Sequence, residues 1–198
     1  MAKRKKTTRE ASKRSAVTRR RGNGAQGAIA LLKGDHRQVE SWFAQFEKTR
    51  SEGRKLELAR NICKALTVHA TIEEEIFYPA FLEATEDVKL HHEAAVEHDG
   101  AKKLIAKIEA SSADDEYYDA RVTVLSEMVK HHVKEEERRD GMFARARQSE
   151  MDLQELGKRL EARKAELMGE EAAGRGRRAS RNGAWRGRGQ PVERSRGM

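Results

Sequence analysis

The chain has 198 residues, of which 37% are hydrophobic and 37% are charged, enough apolar content for one modest core but not for a core along the full length. Two prolines and 5% aromatic residues favour helices over sheet. A single cysteine excludes an intramolecular disulfide and fits a reducing cytosol. No apolar run approaches the ~18 residues of a membrane span, and no apolar region follows the basic N-terminus as in a secretory signal. We therefore expect a cytoplasmic protein.

The net charge of +8 is distributed unevenly along the chain. Residues 1–27 carry +9 and residues 173–198 carry +7, which leaves −8 for the segment between them. Both ends are polar, cationic and interspersed with glycine, so they cannot bury enough apolar surface to offset the entropy lost on ordering. The sequence therefore predicts disordered basic tails at 1–27 and 171–198, and one folded domain at 28–170.

Four amphipathic helices are predicted between the tails, because apolar residues recur at spacings of three and four. They span about 28–49, about 55–78, about 86–110 and a segment that starts near 115. Pro79 is consistent with a stop or kink near the end of the second helix. The apolar stripe of the third helix is predicted to contain Val88, His91, Ala95, His98, Ala101, Ile105 and Ile108.

A fifth amphipathic segment carries leucines from 153 to 167 and is predicted to lie on the outside of the other four helices. Short connections between helices favour antiparallel neighbours. The predicted fold class is therefore all-α, an up-down-up-down four-helix bundle with an additional C-terminal helix. No glycine-rich phosphate loop or alternating strand pattern indicates a nucleotide-binding fold.

Each of the four predicted helices carries a histidine on its apolar stripe, namely His36, His69, His98 and His132, and two of these have a glutamate four residues later. Residues four apart lie over one another on a helix, so each pair points in one direction. Two unpaired glutamates in a core would be very costly, whereas divalent cations bind imidazole nitrogen and carboxylate oxygen directly. The predicted metal ligands are His36, His69, Glu73, His98, His132 and Glu136.

A hydrogen-bonded core histidine is the alternative interpretation of any one of these positions, and the repetition on four helices favours a metal site. No cysteine accompanies the cluster, so a thiolate zinc site or an iron–sulfur cluster is not indicated. Six nitrogen and oxygen ligands suit two metal ions, with iron, manganese and zinc as candidates. The Glu-x-x-His spacing of ferritin-like di-iron bundles is absent. His91, seven residues before His98, is a candidate for a further ligand or for a partner of one.

Four segments, "GDHRQVESWF", "VHATIEEEIFYPAF", "AAVEHDGAKKLI" and "VKHHVKEEE", together resemble the hemerythrin-like HHE cation-binding domain family. The resemblance covers about residues 28–167. It implies a four-helix bundle around two non-haem iron ions joined by an oxo or hydroxo bridge. By position, His36 and His69 would serve one iron, His98 and His132 the other, and Glu73 and Glu136 would bridge them. Roles in the family include binding oxygen, sensing oxygen, iron or nitric oxide, storing iron and handling peroxide.

Two departures from the family pattern bear on function. The third helix of oxygen-carrying hemerythrins has two histidines four apart, but here Ala94 and Lys102 flank His98 at that spacing. Unless His91 compensates, this implies an open position beside His98 and argues against reversible oxygen carriage. In addition, "EEERRDGMFAR" stands where many members have an acidic run followed by Phe-Pro. We expect this change to alter the exit of the fourth helix and not the ligands.

Two functional hypotheses follow. The preferred one is a di-iron protein that binds or senses oxygen, peroxide or nitric oxide, or holds iron. The alternative is a nucleic-acid-associated protein with a mainly structural bundle, whose basic tails neutralise phosphates without sequence preference and whose Trp185 stacks on bases beside arginines. No nucleophile–base arrangement indicates an enzyme with an organic substrate, so no catalytic residue is assigned.

Overall fold

The computed structural model describes residues 27–185, with side chains up to residue 170. In this part of the chain every regular element is helical, which confirms the predicted all-α class. The helices are α1 (Ala28–Lys48), α2 (Glu52–Ile72), α3 (Tyr78–Thr85), α4 (Val88–Ala110), α5 (Tyr118–Glu137), α6 (Met142–Gln148) and α7 (Leu153–Trp185). A π-helical segment, Glu73–Phe77, joins α2 to α3.

Four long helices form the predicted bundle. Helix α1 packs against α2 and α5, and α4 packs against the same two helices, so consecutive helices are neighbours as short connections require. Helix α7 lies against α1 and α2 on the outside, and the short α6 lies against α5 and α3. The fold class predicted from the sequence is thus confirmed, including the additional C-terminal helix.

Helix caps are present at the start of two of the predicted helices. The Ser51 hydroxyl accepts a hydrogen bond from the Arg54 amide at the start of α2, and the Asp87 carboxylate accepts one from the Leu90 amide at the start of α4. A cap of this kind stabilises a helix by about 1 kcal/mol. Between α3 and α4, Glu86 has a φ of 54°, the left-handed conformation that commonly ends a helix.

Pro79 does not end the second long helix, which continues through the π-helical segment into α3 and reaches Thr85. The Tyr78 amide donates to the carbonyl of Glu73, five residues earlier, so the turn holds one more residue than an α-turn. Pro79 then falls in the first turn of α3, where a missing amide hydrogen costs little. The wider turn begins at Glu73 and ends just before Tyr78, two side chains that both face the interior.

Two buried apolar clusters fill the bundle, one on each side of a layer of histidines. The first contains Leu32, Phe77, Phe81, Phe143 and Leu160 among others. The second contains Val39, Phe43, Ile62, Leu125 and Val133 among others. On α1 the two clusters are represented by Leu32 and Val39, with His36 between them. Along the bundle axis the histidine layer therefore lies between two apolar clusters.

The stripe predicted for the third helix is wrong in its N-terminal half. Val88 is 49% exposed and Ala95 is exposed, whereas Leu90 and Ala94 are buried. The first turns of α4 pack against α3, and Leu90 and Ala94 join the same cluster as Phe81. The sequence did not predict α3 as a separate neighbour, so the buried face was placed one residue away.

The exit from α5 is a tight reversal. Helix α5 ends at Glu137, and the chain folds back so closely that a Cβ on Gly141 would stand 2.2 Å from the Glu135 carbonyl oxygen. Only glycine fits there. The reversal delivers Met142 and Phe143 of α6 into the first apolar cluster, which covers the end of the histidine layer.

The backbone of α7 is helical to Trp185, which differs from the disordered tail predicted over 171–185. Glu, Ala and Arg in this segment are good helix formers. The predicted tail segments 1–26 and 186–198 lie outside the described residues, and the domain boundaries stay predictions. Across the described helices, none has the length and apolar character needed to cross a bilayer.

Candidate metal centre

The four predicted histidines come from four different helices and meet in two pairs. All four are buried, with exposed fractions of 3 to 8%. The Nε2 atoms of His36 and His69 are 3.1 Å apart, and those of His98 and His132 are 3.3 Å apart. Each pair therefore presents two imidazole nitrogens to one point on the bundle axis.

Glu73 and Glu136 each contact both histidine pairs. Oε2 of Glu73 is 3.1 Å from Nε2 of His69 and 3.4 Å from Nε2 of His98. Oε2 of Glu136 is 3.5 Å from Nε2 of His36 and 3.6 Å from Nε2 of His132. Each carboxylate thus spans the gap between the pairs, so the structure brings all six predicted ligands together.

Burial and mutual contacts shift the pKa values of four of the six predicted ligands. Burial, together with the charge of Glu73, raises the pKa of Glu136 to about 8. Burial also acts to raise the pKa of Glu73, but the charges of His69 and His98 and their hydrogen bonds to the carboxylate together hold that pKa well below its usual range. Burial opposes protonation of His69, yet Glu73 and Asp35 together raise its pKa to about 10. Burial and repulsion from His69 lower the pKa of His36 to about 4.

The donor set fits metal ions. Two groups, His36–His69–Glu73 and Glu73–His98–His132, each hold three ligand atoms within 4.8 Å of one another, and they share Glu73. Two nitrogens bound at right angles to one ion at about 2.1 Å would stand about 3 Å apart, which matches both histidine pairs. Oε1 of Glu73 and Oε2 of Glu136 are buried without a hydrogen-bond partner, and a cation would satisfy both.

Each of the four histidines also has a carboxylate from another helical segment next to its Nδ1 atom. The Nδ1 atoms of His36, His98 and His132 lie 2.9, 3.0 and 2.7 Å from Glu137, Glu74 and Glu97. Nδ1 of His69 lies 3.5 Å from Asp35. A carboxylate on Nδ1 fixes the tautomer that leaves Nε2 free for a metal. We call Asp35, Glu74, Glu97 and Glu137 the carboxylate ring.

The carboxylate ring runs around the bundle in one direction. Helix α1 supplies the partner of the α2 histidine, the π-helical segment that of the α4 histidine, α4 that of the α5 histidine, and α5 that of the α1 histidine. Glu74 and Glu137 were not among the predicted ligands, and the structure gives each a histidine partner. The available signal was that every ring carboxylate is the chain neighbour of a predicted ligand.

A family model, the Hemerythrin HHE cation binding domain, matches residues 27–146. The chain belongs to this hemerythrin family. The match covers α1 to α5 and all six predicted ligands, and it ends within α6. Family membership and the two His/Glu groups support metal binding. Helix α7 lies beyond the matched region.

Two individual proteins are similar to this hemerythrin-family chain. A hemerythrin HHE cation binding domain-containing protein from Mycobacterium kansasii, a homologue of Rv2633c, has a crystal structure that covers 73% of this chain and 89% of its own, with 24% identity and a TM-score of 0.62. This likeness shows the fold. A DNA nickase of Nostoc sp. (strain PCC 7120) is 29% identical over 126 residues, 62% of this chain. The matched part of this chain spans 35% of that relative's length, about a third.

Tyr78 is a polar residue beside the six predicted ligands, and its position was not predicted from the sequence. Its ring is buried, and its hydroxyl lies 3.1 Å from Nε2 of His98, 3.2 Å from Oε1 of Glu136 and 3.4 Å from Oε2 of Glu73. Burial and the two carboxylates hold the pKa of Tyr78 well above its usual range, so the hydroxyl keeps its proton. The hydroxyl stands beside His98, where the sequence predicted an open position.

The remaining histidines lie away from the converging atoms. His91 is partly buried, with its ring 6.1 Å from that of Tyr78, and it is absent from both donor groups within the described residues. Its proposed role as a further ligand stays a prediction, and its present place is behind Tyr78. His92 is exposed, and His131 is exposed and 3.3 Å from Glu97.

An apolar cavity of about 40 Å³ adjoins the four histidines of the hemerythrin centre on one side. Its walls include Val39, Leu66, Ile105, Met128 and Val129. Since one water needs roughly 10–15 Å³ of such space, the cavity has room for a diatomic molecule. On the opposite side the Phe143 ring stacks on His36 with centroids 5.8 Å apart, and this ring belongs to the cluster that closes that end.

Proposed function

We propose that this protein is a non-haem di-iron protein that binds or senses a small molecule such as oxygen, peroxide or nitric oxide, or holds iron. One observation carries the proposal: Glu73 and Glu136 each contact one histidine of each pair. Two carboxylates that span two nitrogen pairs are what a two-metal centre with bridging ligands requires. The proposed ligands are His36, His69, Glu73, His98, His132 and Glu136.

Iron is the proposed metal because the six donors are nitrogen and oxygen, without thiolate, and because a redox-active ion suits the proposed small molecules. When bound, iron supplies the electrons for reaction with these molecules. The protein residues hold the histidine nitrogens inward, keep them in one tautomer and exclude water with two apolar clusters.

The size and character of the cavity support a small neutral molecule. A space of about 40 Å³ is too small for most organic substrates. Most of its lining is apolar, although Asp35, Glu97 and Lys102 also line it. Tyr78 is the hydroxyl donor closest to His98 and Glu136. We propose that it orients or limits what reaches that side of the centre.

Iron content provides the direct test of the proposed function. Protein produced with iron supplied should contain roughly two iron atoms per chain, as expected for six nitrogen and oxygen donors in two groups. The oxidised protein should show near-ultraviolet bands from a bridged ferric pair. Protein produced in matched zinc-supplemented medium is the control. Stoichiometric zinc without iron uptake, or absence of any metal, would contradict the proposal.

Nucleic-acid contact is a second candidate function. It is supported by the charges of +9 on residues 1–27 and +7 on residues 173–198, and by the similarity to a DNA nickase over 126 residues. Flexible arginines and lysines bind phosphates and release counterions. The body between them carries −8 and would be repelled by the same polyanion, so the proposed contact uses the basic ends.

The full chain should retard DNA and RNA at low salt, without sequence preference, and lose affinity steeply as salt rises. A variant with Arg186, Arg188, Arg194 and Arg196 changed to glutamine should bind more weakly and keep its metal content. A matched variant that changes four exposed basic residues of the acidic body should bind like the parent protein. No retardation of either nucleic acid by the full chain at low salt would exclude this second function.

A further inference from the structure

A second layer of basic side chains surrounds the carboxylate ring. Glu137 contacts Lys33 and Arg37, Glu74 contacts Lys102, and Glu97 contacts His131. Asp35 contacts Lys164. Every inward histidine is therefore backed by a carboxylate, and every such carboxylate is backed by a basic side chain.

Lys164 differs from the other basic side chains in its origin. The others lie on α1, α4 and α5, within the region matched by the family model, whereas Lys164 lies on α7, beyond residue 146. The contact joins residues 129 positions apart in the chain. A helix outside the matched domain thus reaches the partner of a proposed metal ligand.

The contact between Asp35 and His69 is the longest of the four carboxylate–histidine contacts in the ring. Oδ2 of Asp35 and Nδ1 of His69 face each other at 3.5 Å, beyond hydrogen-bond range, and neither atom has another hydrogen-bond partner although both are buried. In the other three pairs the distance is 2.7 to 3.0 Å. Asp35 is placed to accept from His69, and Lys164 occupies its other oxygen, Oδ1.

We propose that Lys164 of α7 is a positioning residue of the metal centre, which holds Asp35 against His69 and so fixes the imidazole that binds the metal. This inference rests on the proposed metal site. The physical reason is that a half-buried carboxylate without a cation would turn toward water and release Nδ1 of His69. Partners of this kind change metal affinity by about 10- to 100-fold. Metal retention would then depend on this one contact of α7 and not on the docking of α7 in general.

Arg163 provides a matched control, because it is the preceding residue on the same helix. It forms a two-point ion pair with Glu75 on the π-helical segment. The side chains of Arg163 and Lys164 are similarly exposed, at 29% and 34%. Glu75 contacts no histidine in the described structure, so the Arg163 pair fastens α7 to the bundle without touching the metal ligands.

The experiment compares Lys164→Gln, Lys164→Arg and Arg163→Gln in the full chain. The readouts are the rate of iron loss to a chelator, the near-ultraviolet spectrum of the ferric protein, and the melting temperature of the metal-free protein. Lys164→Gln should lose iron about tenfold faster and show a shifted spectrum. Lys164→Arg should restore both, and Arg163→Gln should resemble the parent protein in both. The metal-free melting temperatures of the two glutamine variants should be similar.

The outcomes separate the two proposals. If the parent protein binds no iron, the proposed function fails. If the parent protein binds iron and Lys164→Gln releases it no faster than Arg163→Gln, the proposed function stands and the positioning role of Lys164 is wrong. If both glutamine variants release iron equally fast, α7 acts only by general docking, and this also overturns the specific role of Lys164.

Discussion

Replacing Glu73 with glutamine should abolish iron binding while leaving the metal-free protein folded. The amide has the shape of the carboxylate and still accepts a hydrogen bond from Tyr78, but it cannot carry the negative charge that a bridge between two cations needs. Because Oε2 of Glu73 contacts His69 and His98, one from each pair, both metal positions should fail together. Loss of the buried charge also removes the largest of the interactions that raise the pKa of His69.

The measurement is iron per chain together with the free energy of unfolding, with and without iron. Metal at about 100 times its Kd should stabilise the parent protein by about 2.7 kcal/mol, and Glu73→Gln should show no gain. Glu75→Gln is the control, since Glu75 is on the same segment, is exposed and pairs with Arg163. It should keep the iron and the metal-dependent gain. Retention of two iron atoms by Glu73→Gln would show that Glu73 is not a bridge.

Replacing Tyr78 with phenylalanine should open the side of the centre next to His98. In the parent protein the hydroxyl lies within reach of His98, Glu136 and Glu73, so an entering ligand must displace the one hydrogen bond that it donates, about 1 kcal/mol. Removing the hydroxyl should therefore raise the affinity for azide about five- to tenfold. In the metal-free protein the same change leaves buried acceptors unpaired and should cost about 1–3 kcal/mol of stability.

Azide titration of the ferric protein and urea unfolding of the metal-free protein measure these two effects. Tyr118→Phe is the matched control, because Tyr118 is also buried but lies in the second apolar cluster. It should leave azide affinity unchanged. If Tyr78→Phe binds azide no better than the parent protein, the hydroxyl does not limit access and the predicted open position lies elsewhere.

The six proposed ligands were predictable because the pattern of apolar and polar residues along each single helix identifies them. A histidine on an apolar stripe conflicts with its surroundings, and a glutamate one turn later repeats the conflict on the same face, as in His69 and Glu73. Helical periodicity alone then places such side chains on the bundle axis. Burial of all six in the structure follows from that periodicity.

Features that depend on irregular backbone or on neighbouring helices were not predictable in this way. The π-helical segment changes the number of residues in a turn, so helical periodicity does not predict the direction of the Tyr78 side chain. For the same reason, Pro79 was expected to stop or kink the second helix. Ala94 and Ala95 are identical residues, and only the packing of α3 on α4 decides which is buried. The carboxylate ring depends on side chains that cross between helices, which a pattern along one helix cannot contain.

The carboxylate ring also has a consequence for the order in which the chain is synthesised. Three of its links join helices that follow one another, but the last joins Glu137 on α5 to His36 on α1, 101 residues apart. Until α5 has emerged from the ribosome, His36 lacks its partner and the second histidine pair lacks His132. A nascent chain that ends before α5 therefore has no complete nitrogen pair opposite the first. The donor group Glu73–His98–His132 is complete only after α5 has been synthesised, whereas His36, His69 and Glu73 are already present in the shorter chain.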